Sequence, residues 1–195
     1  MKFYDSVRHR LGVRQRGFDF AFRTLQTVEQ SFIVETGCAR VANNYEGDGL
    51  SSLLWDAYIN EYGGLLHTVD LSPDSVRFCK HHVSDKSVVI HSDSITYLKT
   101  LNEELQEKNK KIDFLYLDSF DAPKKEPDIW RKSALHHLYE FLTIRPSLKK
   151  VALIGVDDNW LEQGAPAGKG TMILDYMNQI KNPPVFAEYQ LFWIL

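Results

Sequence analysis

Apolar positions along this chain switch between a helical and a strand period, and the switches fall at glycines, prolines and capping residues. Phe18, Ala21, Phe22, Leu25 and Val28 recur at helical spacing and predict an amphipathic helix over 17–29. Ser31-Phe32-Ile33-Val34-Glu35-Thr36 reads as a short buried strand closed by Gly37. A polar loop follows, then a helix from Leu50 to Tyr62, begun at Gly49-Leu50-Ser51-Ser52 and stopped by Gly63-Gly64. Leu65 to Asp70 is the second strand. Ser72 caps the next helix, with Pro73 at its first position. Ser87 to His91 is the third strand, and Asp93 or Ser94 caps a helix running to about Lys108.

Two further apolar runs end on carboxylates. Ile112-Asp113-Phe114-Leu115-Tyr116-Leu117-Asp118 is followed by a loop over 123–127 and a helix over 128–142. Val151-Ala152-Leu153-Ile154-Gly155-Val156-Asp157-Asp158-Asn159 leads into a Gly/Pro loop (Gly164, Pro166, Gly168, Gly170) and a helix to about Ile180. Pro183-Pro184 precedes a last β-rich run, Val185 to Leu195, which has no Gly, Pro, Asn or Asp to turn a hairpin. It reads as one long strand or a hairpin with an unusual turn. Its apolar ending, Phe192-Trp193-Ile194-Leu195, points to a terminus buried in the sheet or in a homodimer contact.

Strands alternating with helices imply βαβ units and a doubly wound α/β fold, mostly parallel, with helices on both faces. The expected organisation is an N-terminal basic arm and helix, residues 1–30, ahead of one domain over 31–195. At 195 residues, 44% hydrophobic and 25% charged, the chain suits a globular domain with a substantial core. A net charge of -3 argues against a nucleic-acid or membrane-surface partner. The arm differs: Lys2, Arg8, Arg10, Arg14 and Arg16 face only Asp5. It is either a solvated arm or one that folds over a pocket and attracts an anionic substrate. Cys38 and Cys79 give no disulfide framework or metal spacing, and no run approaches membrane-spanning length or a secretory signal. The expected location is cytoplasmic.

The strand ends carry the chemistry, because ligands bind outside the carboxyl ends of strands in an open parallel sheet. Glu35-Thr36-Gly37-Cys38-Ala39-Arg40-Val41 lacks the second and third glycines of a dinucleotide fingerprint, which argues against an NAD-dependent oxidoreductase. The turn resembles the first motif, E/D-x-G-x-x-x-G, of class I S-adenosylmethionine-dependent methyltransferases. It departs from that motif at Val41, with its glycines arriving late as Gly47 and Gly49 after a loop inserted over 38–48. Asp70 ends the second strand where that family holds the ribose, and Ser92-Asp93-Ser94 follows the third strand where it holds adenine. Asp118 ends the fourth, near the methyl donor.

The resemblance implies S-adenosylmethionine as cofactor, bound by Glu35, Gly37, Cys38, Arg40, Asp70, Leu71, Ser92, Asp93, Ser94 and Asp118, with Arg40 on its methionine carboxylate. Val156-Asp157-Asp158-Asn159 is similar to the fifth-strand end of metal-dependent O-methyltransferases of the macrocin and catechol groups. This implies Mg2+ or another divalent cation on Asp118, Asp157 and Asp158, or on Asn159 if the register is one later. Such an ion lowers the pKa of an acceptor hydroxyl on a small molecule or sugar. The Lys base of catechol-type enzymes is replaced by Asp121, so Asp118 and Asp121 are the candidate catalytic groups. His136 and His137 sit in an apolar helical pattern and read as structural. Trp130, Trp160 and Phe120 are candidates to wall the acceptor. Metal-independent methyl transfer and an inactive cofactor-binding Rossmann-like protein are the alternative readings.

Overall fold

The computed structural model describes residues 1–48 and 50–195; Gly49, expected to open a helix, lies outside the described residues. Five strands, β1 (Ser31–Thr36), β2 (Gly64–Asp70), β3 (Ser87–His91), β4 (Ile112–Leu117) and β5 (Leu148–Val156), pair in parallel in the order β3-β2-β1-β4-β5. A short antiparallel hairpin, β6 (Asn159–Glu162) and β7 (Ala165–Gly168), stands apart from this sheet. The C-terminal run supplies β8 (Phe186–Ala187) and β9 (Leu191–Ile194). β9 lies antiparallel to β5, and β8 pairs antiparallel with β9 at the edge. An antiparallel strand seated between β5 and the edge departs from the purely parallel order of a dinucleotide-binding sheet.

The helices are α1 (Lys2–Val7), α2 (Gln15–Leu25), α3 (Tyr45–Asp48), α4 (Ser51–Tyr62), α5 (Pro73–His82), α6 (Ser94–Glu107), α7 (Pro127–Ile144) and α8 (Thr171–Gln179). Strand alternation divides the core between two faces. Ile33, Phe114, Tyr116 and Phe192 pack with Phe18, Phe22, Trp55 and Tyr58 of α2 and α4. Their neighbours Val34, Leu115, Leu117 and Trp193 pack with Leu98, Phe141 and Ile173 of α6, α7 and α8. No helix among the described residues is long and apolar enough to cross a membrane.

Local chemistry explains most of the boundaries. The Ser72 hydroxyl accepts from Ser75 N–H at 3.3 Å, and Asp93 Oδ1 accepts from Thr96 N–H at 2.9 Å, so both helices start on their caps. Gly63, at φ 85°, ends α4. Elsewhere the sequence reading is corrected. The helix expected over 17–29 spans Gln15–Leu25, and the arm before it carries α1. β5 begins earlier than expected, at Leu148, which is buried and pairs with Ile112; the register then shifts before Leu153 pairs with Phe114, and Lys149, Lys150 and Val151 between them are exposed. The Gly/Pro loop contains β6 and β7, joined by Gln163 (φ 52°) and Gly164 (φ 83°), the two positive-φ positions of a tight hairpin turn. The last run is a hairpin after all: Glu188-Tyr189-Gln190 make its turn, with Glu188 N–H donating to Gln190 O at 3.1 Å. Gln190 is buried and donates to the Tyr116 hydroxyl at 2.5 Å, which supplies the anchor that a turn-forming residue would otherwise give.

Candidate functional site

The parallel strands deliver their acidic ends to one rim, and ladder hydrogen bonds continue into the turns. Gly37 N–H donates to Val69 O (2.8 Å), Ser92 N–H to Asp70 O (3.1 Å), Asp118 N–H to Thr36 O (2.9 Å) and Asp157 N–H to Leu117 O (3.1 Å). The acidic positions are therefore fixed by the sheet. Gly37, at φ 80°, is required where β1 crosses the loop after β4: a Cβ there would lie 2.4 Å from Asp118 O.

Two adjoining hollows open along this rim. The wider, about 480 Å³, is lined by Leu71, Asp93, Ser94, Phe120 and His136. The narrower, about 120 Å³, is lined by Cys38, Ala39, Asp48, Asp118 and Asp158. Gly37, Arg40, Asp70, Ser119 and Asp121 line both. Of the expected cofactor positions, Gly37, Cys38, Arg40, Asp70, Leu71, Asp93, Ser94 and Asp118 thus face one continuous cleft. Asp70 accepts from Cys38 N–H at 3.0 Å and Ser72 N–H at 2.7 Å, which aims its carboxylate at the junction. Arg40 spans the entrance, paired with Asp48 at 3.2 Å and Asp121 at 3.1 Å.

Two expected positions sit elsewhere. Ser92 is not among the lining residues and donates to Asp93 O at 3.0 Å. Glu35 lies fully buried beneath the floor, where it accepts from Ser52 and, at 2.7 Å, from Thr68. Burial pushes its carboxyl up to about 7 against the pull of those hydroxyls.

Asp118, Asp157 and Asp158 do come together, each offering an oxygen within 4.8 Å of the others. Their partners are the chain's own cations. Arg14 donates to Asp157 Oδ2 at 2.6 Å and to Asp158 Oδ1 at 2.9 Å, and ties Glu46 O at 2.8 Å. Lys169 Nζ lies 2.6 Å from Asp118 Oδ1 and 2.9 Å from Asp158 Oδ2. Tyr189 donates to Asp158 Oδ1 at 2.5 Å while its ring covers the Arg14 guanidinium at 4.8 Å. Burial raises the Asp118 and Asp157 carboxyls above the usual range, with Lys169 and Arg14 opposing it. For Asp158 burial pushes the same way, but the two cations outweigh it and hold the group down. Lys169 stays protonated: burial alone disfavours its charge, and Asp118 and Asp158 more than reverse that.

A divalent ion fits the spacing of these carboxylates but not their partners, since ammonium and guanidinium groups already engage one oxygen each of Asp118 and Asp157 and both of Asp158. Asn159 is not part of that set. Its Oδ1 accepts from Gly170 N–H at 2.7 Å and its Nδ2 donates to Val156 O at 2.9 Å, so the carboxamide braces the turn into β6.

Sequence reasoning missed four contributors. Lys169 and Tyr189 lie in turns far along the chain, and Arg14 was read within a basic arm, either solvated or folded over the pocket toward an anionic substrate, not as a partner of the chain's own carboxylates. Glu140, in the middle of α7, is fully buried and accepts from Ser119 (2.7 Å) and Thr36 (3.1 Å), bracing the loops after β4 and β1. His136 lies 3.1 Å from Glu140, while His137 is buried with its Nδ1 at 2.7 Å from Ser133 O. The arm itself lies across the rim, with Arg8 on Asp19, Arg14 on the cluster and Arg16 on Glu188.

Residues 82–149, about a third of the chain, match a family model described as S-adenosyl-L-methionine-dependent methyltransferase. That stretch contains β3, β4, Asp93, Asp118 and Asp121, and it supports a class I S-adenosylmethionine-dependent methyltransferase. No curated protein sequence matches the chain. Among solved structures, a putative short-chain alcohol dehydrogenase from Burkholderia multivorans superposes with a TM-score of 0.54 at 12% identity, over 76% of this chain and 77% of that one. A putative short-chain dehydrogenase/reductase from the same organism, with bound NADP, gives 0.54 at 12% identity, over 77% and 73%. A short-chain dehydrogenase/reductase from Saccharomyces cerevisiae gives 0.45 at 19% identity, over 62% of this chain; the chain spans about half the length of that enzyme (49%). At these identities the two Burkholderia structures establish a shared Rossmann-like fold and no more.

Proposed function

We propose that this chain transfers the methyl group of S-adenosylmethionine to a hydroxyl of a small molecule, without a divalent ion. The observation that carries the reading is the placement of Asp70. It stands where the two hollows meet, with Asp93 at one end and Asp118 at the other, as a nucleoside joined to a short charged tail requires. A carboxylate there accepts from paired ribose hydroxyls, and Asp93 or Ser94 from the adenine amino group. Arg40, which lines both hollows, is the cation placed to meet a methionine carboxylate, since Arg14 in the narrow hollow is already held by Asp157 and Asp158. A pyrophosphate instead needs a Gly-rich cradle, and Cys38-Ala39-Arg40-Val41 puts side chains in that place.

In the transfer, an acceptor oxygen forms a bond to the methyl carbon as the carbon–sulfur bond breaks, leaving a neutral thioether. The hydroxyl proton passes to a carboxylate at the rim. Asp118 is placed for this: it lines the narrow hollow, and burial raises its affinity for a proton. Asp121 is exposed and held by Arg40, which suits closing the cleft better than taking a proton.

For the acceptor, a third cavity of about 600 Å³ lies next to the narrow hollow, and Tyr189 lines both. Its walls include Val13, Trp160, Leu161, Pro166, Leu174 and Leu191. That size and lining favour a small molecule with an apolar body over a free sugar. Trp160 is thus the expected wall residue that lines this cavity; Phe120 lines the nucleoside side instead, and Trp130 stacks edge-on against Trp160 at 6.1 Å.

Thermal melting with added ligands tests the reading. S-adenosylmethionine and S-adenosylhomocysteine at millimolar concentration raise the melting temperature, and NADP does not. A shift with NADP alone would overturn it.

A further inference from the structure

We infer that the acidic cluster is a cation site which the chain fills from its own side chains, with Lys169 holding the place of a divalent ion. The inference concerns the cluster alone and stands whether or not the chain transfers methyl groups. The Lys169 ammonium finds an acceptor for each of its three donors: Asp118 Oδ1 at 2.6 Å, Asp158 Oδ2 at 2.9 Å and Asp118 O at 3.4 Å. Arg14 bridges Asp157 Oδ2 and Asp158 Oδ1. Both side chains are buried, Lys169 with 1% and Arg14 with 6% of the side chain exposed. Asp157 Oδ1 is buried and has no hydrogen-bond partner among the described residues, so the cluster keeps one oxygen in reserve. Three carboxylates against two fixed cations leave a single negative charge, too little to recruit a dication past an adjacent ammonium.

The backbone prevents Lys169 from leaving with its loop. A Cβ on Gly168 would lie 2.1 Å from Asp158 O, and one on Gly170 would lie 2.6 Å from Asn159 Oδ1. Glycines on both sides thus let this segment press directly on the turn that carries Asp158. Lys169 N–H also donates to Asp158 O at 3.1 Å. The lysine is clamped to the same residue that its ammonium neutralises. Removing the ammonium leaves buried oxygens from three carboxylates, facing one another with only Arg14 to balance them, which is a hard-cation site.

Titration with Mn2+, followed by loss of the free-ion electron paramagnetic resonance signal, separates the cases. Wild type shows no saturable site up to about millimolar ion, whereas Lys169→Ala gains one site binding at least about tenfold tighter, within the range of weak oxygen-ligand sites. The variant's melting temperature rises with Mn2+ and that of wild type does not. If Lys169→Ala does not fold alone, refolding with Mn2+ recovers it; no recovery with the ion counts against the inference. So does a folded Lys169→Ala that gains no site. Stoichiometric Mn2+ binding by wild type that disappears in Asp157→Asn would overturn it outright.

Discussion

Replacing Arg14 with alanine removes one side chain from the N-terminal arm and tests whether the cluster is neutralised from within. The guanidinium is 6% exposed and makes two ionic hydrogen bonds, to Asp157 and Asp158, plus a third to Glu46 O. Breaking one partner of a buried pair costs about 3–5 kcal/mol, because the remaining charge is left without compensation. Lys169 still holds Asp158, so the lower end, about 3 kcal/mol, is expected. For a chain of this size that is a fall of about 6–12 °C in melting temperature.

Arg8→Ala is the internal control. Its pair with Asp19 is 2.7 Å long but the arginine side chain is 40% exposed, and such pairs contribute under about 1 kcal/mol. The loss in Arg14→Ala also depends on pH. Without the guanidinium, burial of Asp157 acts unopposed by its nearest cation, so its folded-state pKa rises further above the unfolded value. A raised carboxyl adds stability at low pH that is lost as pH rises, so the deficit against wild type is smaller at pH 5 than at pH 8. Urea denaturation of wild type, Arg14→Ala, Arg8→Ala and Arg14→Ala/Asp157→Asn at both pH values measures this. The double variant recovers part of the loss. If Arg14→Ala costs no more than Arg8→Ala at either pH, the buried-pair reasoning is wrong.

Three further outcomes follow from the same geometry. Glu35, held up at about 7 by burial, keeps its proton in the fold after the unfolded chain has lost it near 4.5, so wild-type stability falls between those pH values by about 3 kcal/mol from this group. Glu35→Gln removes that slope, and urea midpoints at pH 4.5 and 7.5 show it; equal slopes in both proteins would refute the assignment. Gly37→Ala, with φ 80° and a Cβ 2.4 Å from Asp118 O, costs more than about 1 kcal/mol by chemical denaturation, and calorimetry shows cofactor affinity lowered more than tenfold. Tyr189→Phe loses a 2.5 Å bond to a charged carboxylate and drops stability by about 1.5–3 kcal/mol, read from urea midpoints; no change would mean that the hydroxyl bond is replaced by water.

The parallel sheet was legible because its determinants are local. Strand periodicity, Ser72-Pro73, Asp93 and Gly63-Gly64 each mark a boundary within a few residues. The carboxylates at the strand ends were legible for a related reason, since a strand's direction fixes where its last residue points. The cations that partner them were not. Lys169 follows Asp118 by 51 residues and Arg14 precedes Asp157 by 143, and nothing in the local pattern of either pairs it with an acid. An isolated lysine between two glycines carries one usable hint: a segment stripped of Cβ atoms is one that lies close against something else. The β8–β9 turn was opaque because Gln190 and Tyr189 are anchored by Tyr116 and Asp158, contacts made across the sheet. The β6–β7 hairpin carried a signal in Gln163-Gly164 that the surrounding Pro and Gly residues masked.

Calorimetric titration of S-adenosylmethionine into wild type and Asp70→Ala tests the central claim most directly. The account predicts one saturable site in wild type, weakened in the variant by about 1–3 kcal/mol, the value of hydrogen bonds from ribose hydroxyls to a charged carboxylate. Equal dissociation constants, or no heat of binding in wild type at high micromolar cofactor, would contradict it.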